Sequence, residues 1–116
     1  MKVLIIDDDP DTCDALGDFI TVEGHVVGWM CDPVDALKHL RASLGFGLPD
    51  LILLDYNMPR MTGLEFRVQQ LADPHLANIP TVLCTGADVG DVLQAFQGVP
   101  VEIMSKPVDI DKLLAR

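Results

Sequence analysis

Five side chains far apart along the chain have the types and neighbours that phosphate chemistry needs: Asp7, Asp8, Asp55, Thr85 and Lys106. Each follows a short aliphatic run. Val3 to Ile6 leads into Asp7-Asp8-Asp9, and Leu51 to Leu54 into Asp55-Tyr56-Asn57-Met58-Pro59. Thr81 to Cys84 leads into Thr85-Gly86, and Val101 to Met104 into Ser105-Lys106-Pro107. Carboxylates gathered in one place repel, at about 4 kcal/mol per pair for roughly 4 Å and an effective dielectric near 20. A divalent metal or raised carboxyl pKa values would relieve that cost. All-oxygen ligands with open positions suit Mg²⁺, which keeps waters and shares phosphate oxygens. A threonine hydroxyl and a lysine ammonium would meet those oxygens from the other side. The chemistry this set supports is phosphoryl transfer onto a carboxylate or off one. Asp9 reads as a helix cap rather than a ligand, since Pro10 behind it suits a first helical turn.

What must position these groups is a set of alternating strands and helices. Strands are predicted over Val3–Ile6, His25–Met30, Leu51–Leu54, Thr81–Cys84 and Val101–Met104. A helix to about Val22 carries Cys13, Leu16, Phe19 and Ile20 as its apolar stripe and ends at Gly24. Asp32-Pro33 opens a second, with Val34, Leu37 and Leu40 facing inward, broken over Gly45 to Pro49. Thr62 and Glu65 stand at capping-box spacing before a third, striped by Leu64, Val68 and Leu71 and closed by Asp73-Pro74. A weaker helix covers Asp88 to about Gln97, and Ile110, Leu113 and Leu114 begin a last one. Four aliphatics in a row suit a strand buried on both faces, so the (βα)₅ pattern implies a parallel sheet covered by right-handed crossovers. In such a sheet the carboxyl ends of the strands share one edge, where ligands bind.

The chain has 116 residues, enough for one domain over residues 1–116. Eight basic and eighteen acidic residues give a net charge of −10, which argues against direct nucleic-acid binding. Cys13, Cys31 and Cys84 form no CxxC and no Cys/His cluster, so reduced thiols in a cytoplasmic protein are expected, without zinc. No apolar run approaches the roughly 18 residues of a membrane span, and the opening Met1-Lys2 leaves no room for a signal peptide. His25, His39 and His75 lack a neighbouring acid at ligand spacing, and Trp29, Met30 and Phe96 read as packing.

Taken in order and spacing, the four strand-end motifs resemble a response-regulator receiver domain of two-component signalling, along the whole chain. The resemblance implies an α/β, flavodoxin-like doubly wound (βα)₅ fold, its five-stranded parallel sheet in the order 2-1-3-4-5. It implies that Asp55 accepts phosphoryl from a phosphohistidine on a sensor histidine kinase or phosphotransfer protein. Mg²⁺ would be held by Asp8, by Asp7 through water, by Asp55 and by the backbone carbonyl of Asn57. Thr85 would bond a phosphoryl oxygen, Lys106 would pair with it or with Asp55, and the signal would pass to a protein partner or attached output domain. One position departs from the pattern: Ile103 stands where the family usually has Tyr or Phe, so a threonine–aromatic switch of the usual form is not expected. That departure keeps a degenerate receiver, serving only as an interaction module, as an alternative. Asp7, Asp9, Thr85 and Lys106 also resemble the haloacid-dehalogenase phosphatases, with Asp7 as nucleophile and Asp9 as acid/base, a reading that leaves Asp55 and its Met-Pro loop unexplained.

Overall fold

The aliphatic runs pair into a parallel sheet in the order β2-β1-β3-β4-β5, the doubly wound order expected. The structure, a computed structural model, describes residues 1–43 and 47–115. Strands β1 (Lys2–Ile6), β2 (Val26–Met30), β3 (Leu51–Asp55), β4 (Thr81–Thr85) and β5 (Glu102–Ser105) alternate with five helices. These are α1 (Pro10–Val22), α2 (Pro33–Ala42), α3 (Gly63–Ala72), α4 (Val89–Ala95) and α5 (Ile110–Leu114). β3 and β4 each run one residue further than the apolar pattern, so that Asp55 and Thr85 belong to the sheet itself. Of the break expected over Gly45 to Pro49, Gly45 and Phe46 lie outside the described residues, while Gly47 to Pro49 form neither helix nor strand. Arg116, expected in the last helix, also lies outside them.

Side-chain alternation along the strands divides the interior in two. Leu4, Ile6, Ile52, Leu54 and Leu83 meet Leu37, Leu40, Phe66 and Phe96 on the α2–α3–α4 side. Val3, Ile5, Leu51, Leu53, Val82 and Cys84 meet Cys13, Ile20 and Leu113 on the α1–α5 side. Burying one such aliphatic side chain contributes about 1.5–3 kcal/mol, so β3 and β4, buried at every position, anchor the fold.

Every helix starts at the carboxyl edge of the sheet, and each has a side chain that accepts first-turn amide hydrogens. Asp9, Asp32, Asp88 and Asp109 cap α1, α2, α4 and α5. Thr62 and Glu65 complete the reciprocal capping box of α3.

Two expected stripes are corrected. Phe19 is 66% exposed, because α1 turns Gly17 toward β2, where a Cβ would already stand 3.5 Å from Val27. The buried line is therefore Cys13, Gly17 and Ile20. Val68 is 48% exposed, and the face of α3 turned inward is Gly63, Phe66, Arg67 and Gln70. That face holds a polar network at the amino end of β4. The Gln70 amide nitrogen lies 3.1 Å and 3.3 Å from the Leu76 and Ile79 carbonyls and 3.0 Å from the Thr81 hydroxyl. Arg67 donates to the Gln70 amide oxygen at 2.9 Å and to the Pro100 carbonyl at 2.9 Å.

Candidate functional site

The register of β1, β3, β4 and β5 brings the strand-end residues to one edge. Asp55 closes β3 and is 7% exposed; Asp7, just past β1, is 4% exposed. Asp8 is exposed. One carboxylate oxygen from each of these three lies within 4.8 Å of the others, an all-oxygen donor set of the kind Mg²⁺ takes. The Lys106 ammonium stands on the opposite side, 2.9 Å from Asp55 Oδ1 and 3.3 Å from Asp7 Oδ2. It is fixed from behind, its backbone N–H donating to the Thr85 carbonyl at 2.8 Å.

The charges are tuned by this crowding. Burial pushes the Asp55 carboxyl up to about 6; Lys106 pulls it down in part, and the neighbouring Asp7 and Asp8 raise it further. Burial works against the Lys106 ammonium, but the hydrogen bond and charge of Asp55, with Asp7 behind them, hold its pKa above the usual lysine value. Asp9 is turned away. Its carboxylate accepts from the Thr12 hydroxyl and the Asp11 amide, and those bonds lower its pKa. Its own amide donates to Asp7 Oδ1 at 3.0 Å, which orients the Asp7 carboxylate. The acid/base role that the phosphatase alternative needs from Asp9 therefore has no support.

Sheet alternation splits the site across two faces. Asp55 shares its side with Leu53, as Lys106 does with Met104, above the α1–α5 core. From them a cleft of about 250 Å³ descends between α1 and the β5–α5 connection, lined by Leu16, Leu53, Pro107 and Val108. Thr85 lies on the other side, with Tyr56 and Ile103 above the α2–α3–α4 core. Thr85 is 0% exposed, and its hydroxyl oxygen accepts from the Ala87 amide at 3.0 Å. Asn57 sits exposed in the loop after β3. The Tyr56 ring meets Phe96 at a centroid distance of 6.1 Å, so an aromatic pair exists near the site although position 103 is aliphatic.

Three contributors escaped the reading of the sequence. A Cβ on Gly63 would stand 2.7 Å from the Asp55 carbonyl oxygen and 2.8 Å from Leu83 Cδ1, so only glycine lets α3 close on the strand that carries the acid. Its amide donates to the Tyr56 carbonyl at 2.8 Å, which holds the loop down. The capping-box spacing of Thr62 and Glu65 marked where α3 begins but not why a glycine must stand between them. Arg60, at φ 69°, pairs with Asp32 and ties the loop after β3 to the α2 cap. Cys84, buried and paired in register with Asp55, has its thiol pushed up to about 12 by burial. A lone arginine and a strand cysteine gave no signal by type.

Comparison with known proteins covers nearly the whole chain. The family model described as response regulator receiver domain matches residues 3–116. The DNA-binding dual master transcriptional regulator RpaA of Synechocystis sp. is 30% identical over 117 residues, covering 99% of this chain and 46% of its own. The response regulator PleD of Caulobacter vibrioides is 34% identical over 116 residues, covering 99% of this chain and 25% of its own. The chain thus spans less than half the length of either relative. Among solved structures, the chemotaxis protein CheY4 of Vibrio cholerae superposes with a TM-score of 0.82 at 26% identity, covering 98% of this chain and 92% of that one.

Proposed function

Because the chain belongs to the response regulator receiver domain family, we propose that residues 1–116 act as one receiver whose Asp55 is the phosphoacceptor. The observation that carries this is the Asp55 carboxylate held 2.9 Å from Lys106 in a ring of acids at a buried strand end. In the metal-free protein a carboxyl with a pKa of about 6 is mostly ionised at neutral pH, the form that can attack phosphorus. Its donor is the phosphohistidine of a sensor histidine kinase or phosphotransfer protein. Asp55 Oδ attacks phosphorus in line; the P–N bond breaks and its electron pair stays on the departing imidazole, which takes up a proton. The product is an acyl phosphate that water later hydrolyses.

The chain contributes position and charge rather than a conventional base. Asp7, Asp8, Asp55 and the Asn57 carbonyl would hold Mg²⁺, a fit supported by the clustered oxygens. When bound, Mg²⁺ neutralises charge on the carboxylates and on the transferring group. Lys106 exchanges its Asp55 contact for a phosphoryl oxygen. The Thr85 hydroxyl already accepts from Ala87, which leaves its own hydrogen to donate to another phosphoryl oxygen. Movement of Thr85 is the signal, passed in the cytoplasm to a protein partner or attached output domain.

Incubation with Mg²⁺ and labelled acetyl phosphate tests the assignment. Label should appear on the parent and vanish in Asp55→Asn. Lys106→Ala should still bind Mg²⁺ by calorimetry while its response to phosphorylation is blunted. Label retained in Asp55→Asn would refute the central role of this residue. An unlabelled parent would leave the interaction-module reading that Ile103 raises.

A further inference from the structure

Two thiols with no part in phosphoryl transfer pack in one cluster behind the metal loop. Cys13 lies in the first turns of α1, fully buried, and its Sγ–H reaches the Asp7 carbonyl at 3.5 Å. Cys31 follows β2. Pairing of Ile6 with Met30, and the Asp7 amide donating to the Met30 carbonyl at 3.2 Å, set Cys31 beside Asp7. Alternation from Val27 through Trp29 turns the Cys31 side chain to the α1 side, where it packs on the core that includes Cys13. Both sulfurs belong to this one packed cluster, and Cys31 is among the neighbours that raise the Cys13 pKa. Cys31 is half-buried and so reachable from solvent, whereas Cys13 is not.

We propose that Cys13 and Cys31 are a redox modification site, forming an intramolecular disulfide under peroxide that alters the Asp7–Asp8 metal loop. The Cys31 thiol loses its proton and its sulfur attacks one peroxide oxygen. An S–O bond forms, the O–O bond breaks, and hydroxide departs with the electron pair to become water. The Cys13 sulfur then displaces the sulfenic oxygen: an S–S bond forms, the S–O bond breaks, and the Cys13 proton leaves with that oxygen as a second water. Two sulfurs are oxidised by one electron each and one peroxide is reduced to two waters. The bond draws the sulfurs to about 2.0 Å and removes the S–H donor from the Asp7 carbonyl. Oxidation therefore pulls on the backbone that presents Asp7 and Asp8, and Mg²⁺ binding weakens severalfold. That coupling rests on reading these acids as Mg²⁺ ligands; the disulfide does not.

The test uses the full chain treated with hydrogen peroxide without Mg²⁺, then blocked with iodoacetamide. No Lys or Arg lies between the two cysteines, and cleavage after Glu23 separates them. The two fragments should stay joined until reduced, lighter by two hydrogens, with Cys84 alkylated only on denaturation. In Cys31→Ser, the milder variant, they should separate. Calorimetry on oxidised parent should show the weaker Mg²⁺ binding, restored by dithiothreitol. Separated fragments in the parent, Cys31 carried on to sulfinic acid, or a Cys31 link between two chains would each overturn the disulfide. Unchanged Mg²⁺ affinity in a fully linked sample would overturn the coupling.

Discussion

The two ends of the sheet both bury polar groups, and they treat them in opposite ways. At the amino end of β4, Gln70, Arg67 and Thr81 are enclosed with neutral or complementary partners. At the carboxyl end, Asp7 and Asp55 are nearly as buried, yet two carboxylates share one ammonium. Among the described residues no buried side-chain nitrogen or oxygen lacks a hydrogen-bond partner, so bond number does not separate the two ends. The sign of the charge does. The lower cluster, whose charged member is Arg67, fastens two loops to α3, whereas the upper one carries surplus negative charge that a cation or a phosphoryl–metal pair would relieve.

The largest effect should come from closing the space between α3 and the acid. Gly63→Val puts carbon into a position 2.7 Å from the Asp55 carbonyl, and should cost several kcal/mol in urea unfolding while abolishing acetyl phosphate labelling. Gln70→Ala strips partners from Arg67, Thr81 and two carbonyls. It should cost about 2–4 kcal/mol by denaturant midpoint yet leave labelling largely intact. If labelling fell in step with stability, the two ends would not be separable.

Asp55→Asn should do the reverse, removing label while stabilising the metal-free fold. The folded Asp55 pKa is raised from 3.8 to about 6. The folded state therefore holds its proton more tightly than the unfolded chain. This contribution is full below about pH 4 and is lost as pH rises through about 6. Asparagine does not titrate, so the variant's advantage should be near zero at pH 4. It should grow to about 1–3 kcal/mol by pH 7 to 8, the Lys106 contact being already counted in the raised pKa. Melting curves of both proteins across that range check it, and a flat difference would sink the claim of surplus charge. Thr62→Ala, which removes only the α3 cap, should cost about 1 kcal/mol in thermal melts at any pH in that range.

The upper cluster was legible in the sequence because each member follows an aliphatic run, and such runs become buried parallel strands with few alternatives. Topology then gathers their ends. The helix caps were legible for a similar reason, since Asp-Pro and Thr-x-x-Glu act locally. The lower cluster was not. Hydrophobic periodicity assigns α3 the stripe Leu64, Val68 and Leu71, but the inward face is set by what the network offers Arg67 and Gln70, partners contributed by segments beyond the helix. Phe19 misled in the same way: Gly17, apolar only by lacking a side chain, let α1 roll toward β2. Polar burial and close approach depend on partners remote in sequence, and residue type along one helix does not encode them.

The site's division across the sheet has a mechanical consequence. Asp55 points to one core and Tyr56, the next residue, to the other, where its ring rests on Phe96 beside α4. The peptide between them is held by the Tyr56 amide donating to the Cys84 carbonyl, and the next peptide by the Gly63 amide donating to the Tyr56 carbonyl. A load placed on the acid is therefore handed, one residue along, to an aromatic ring on the Thr85 side of the partition.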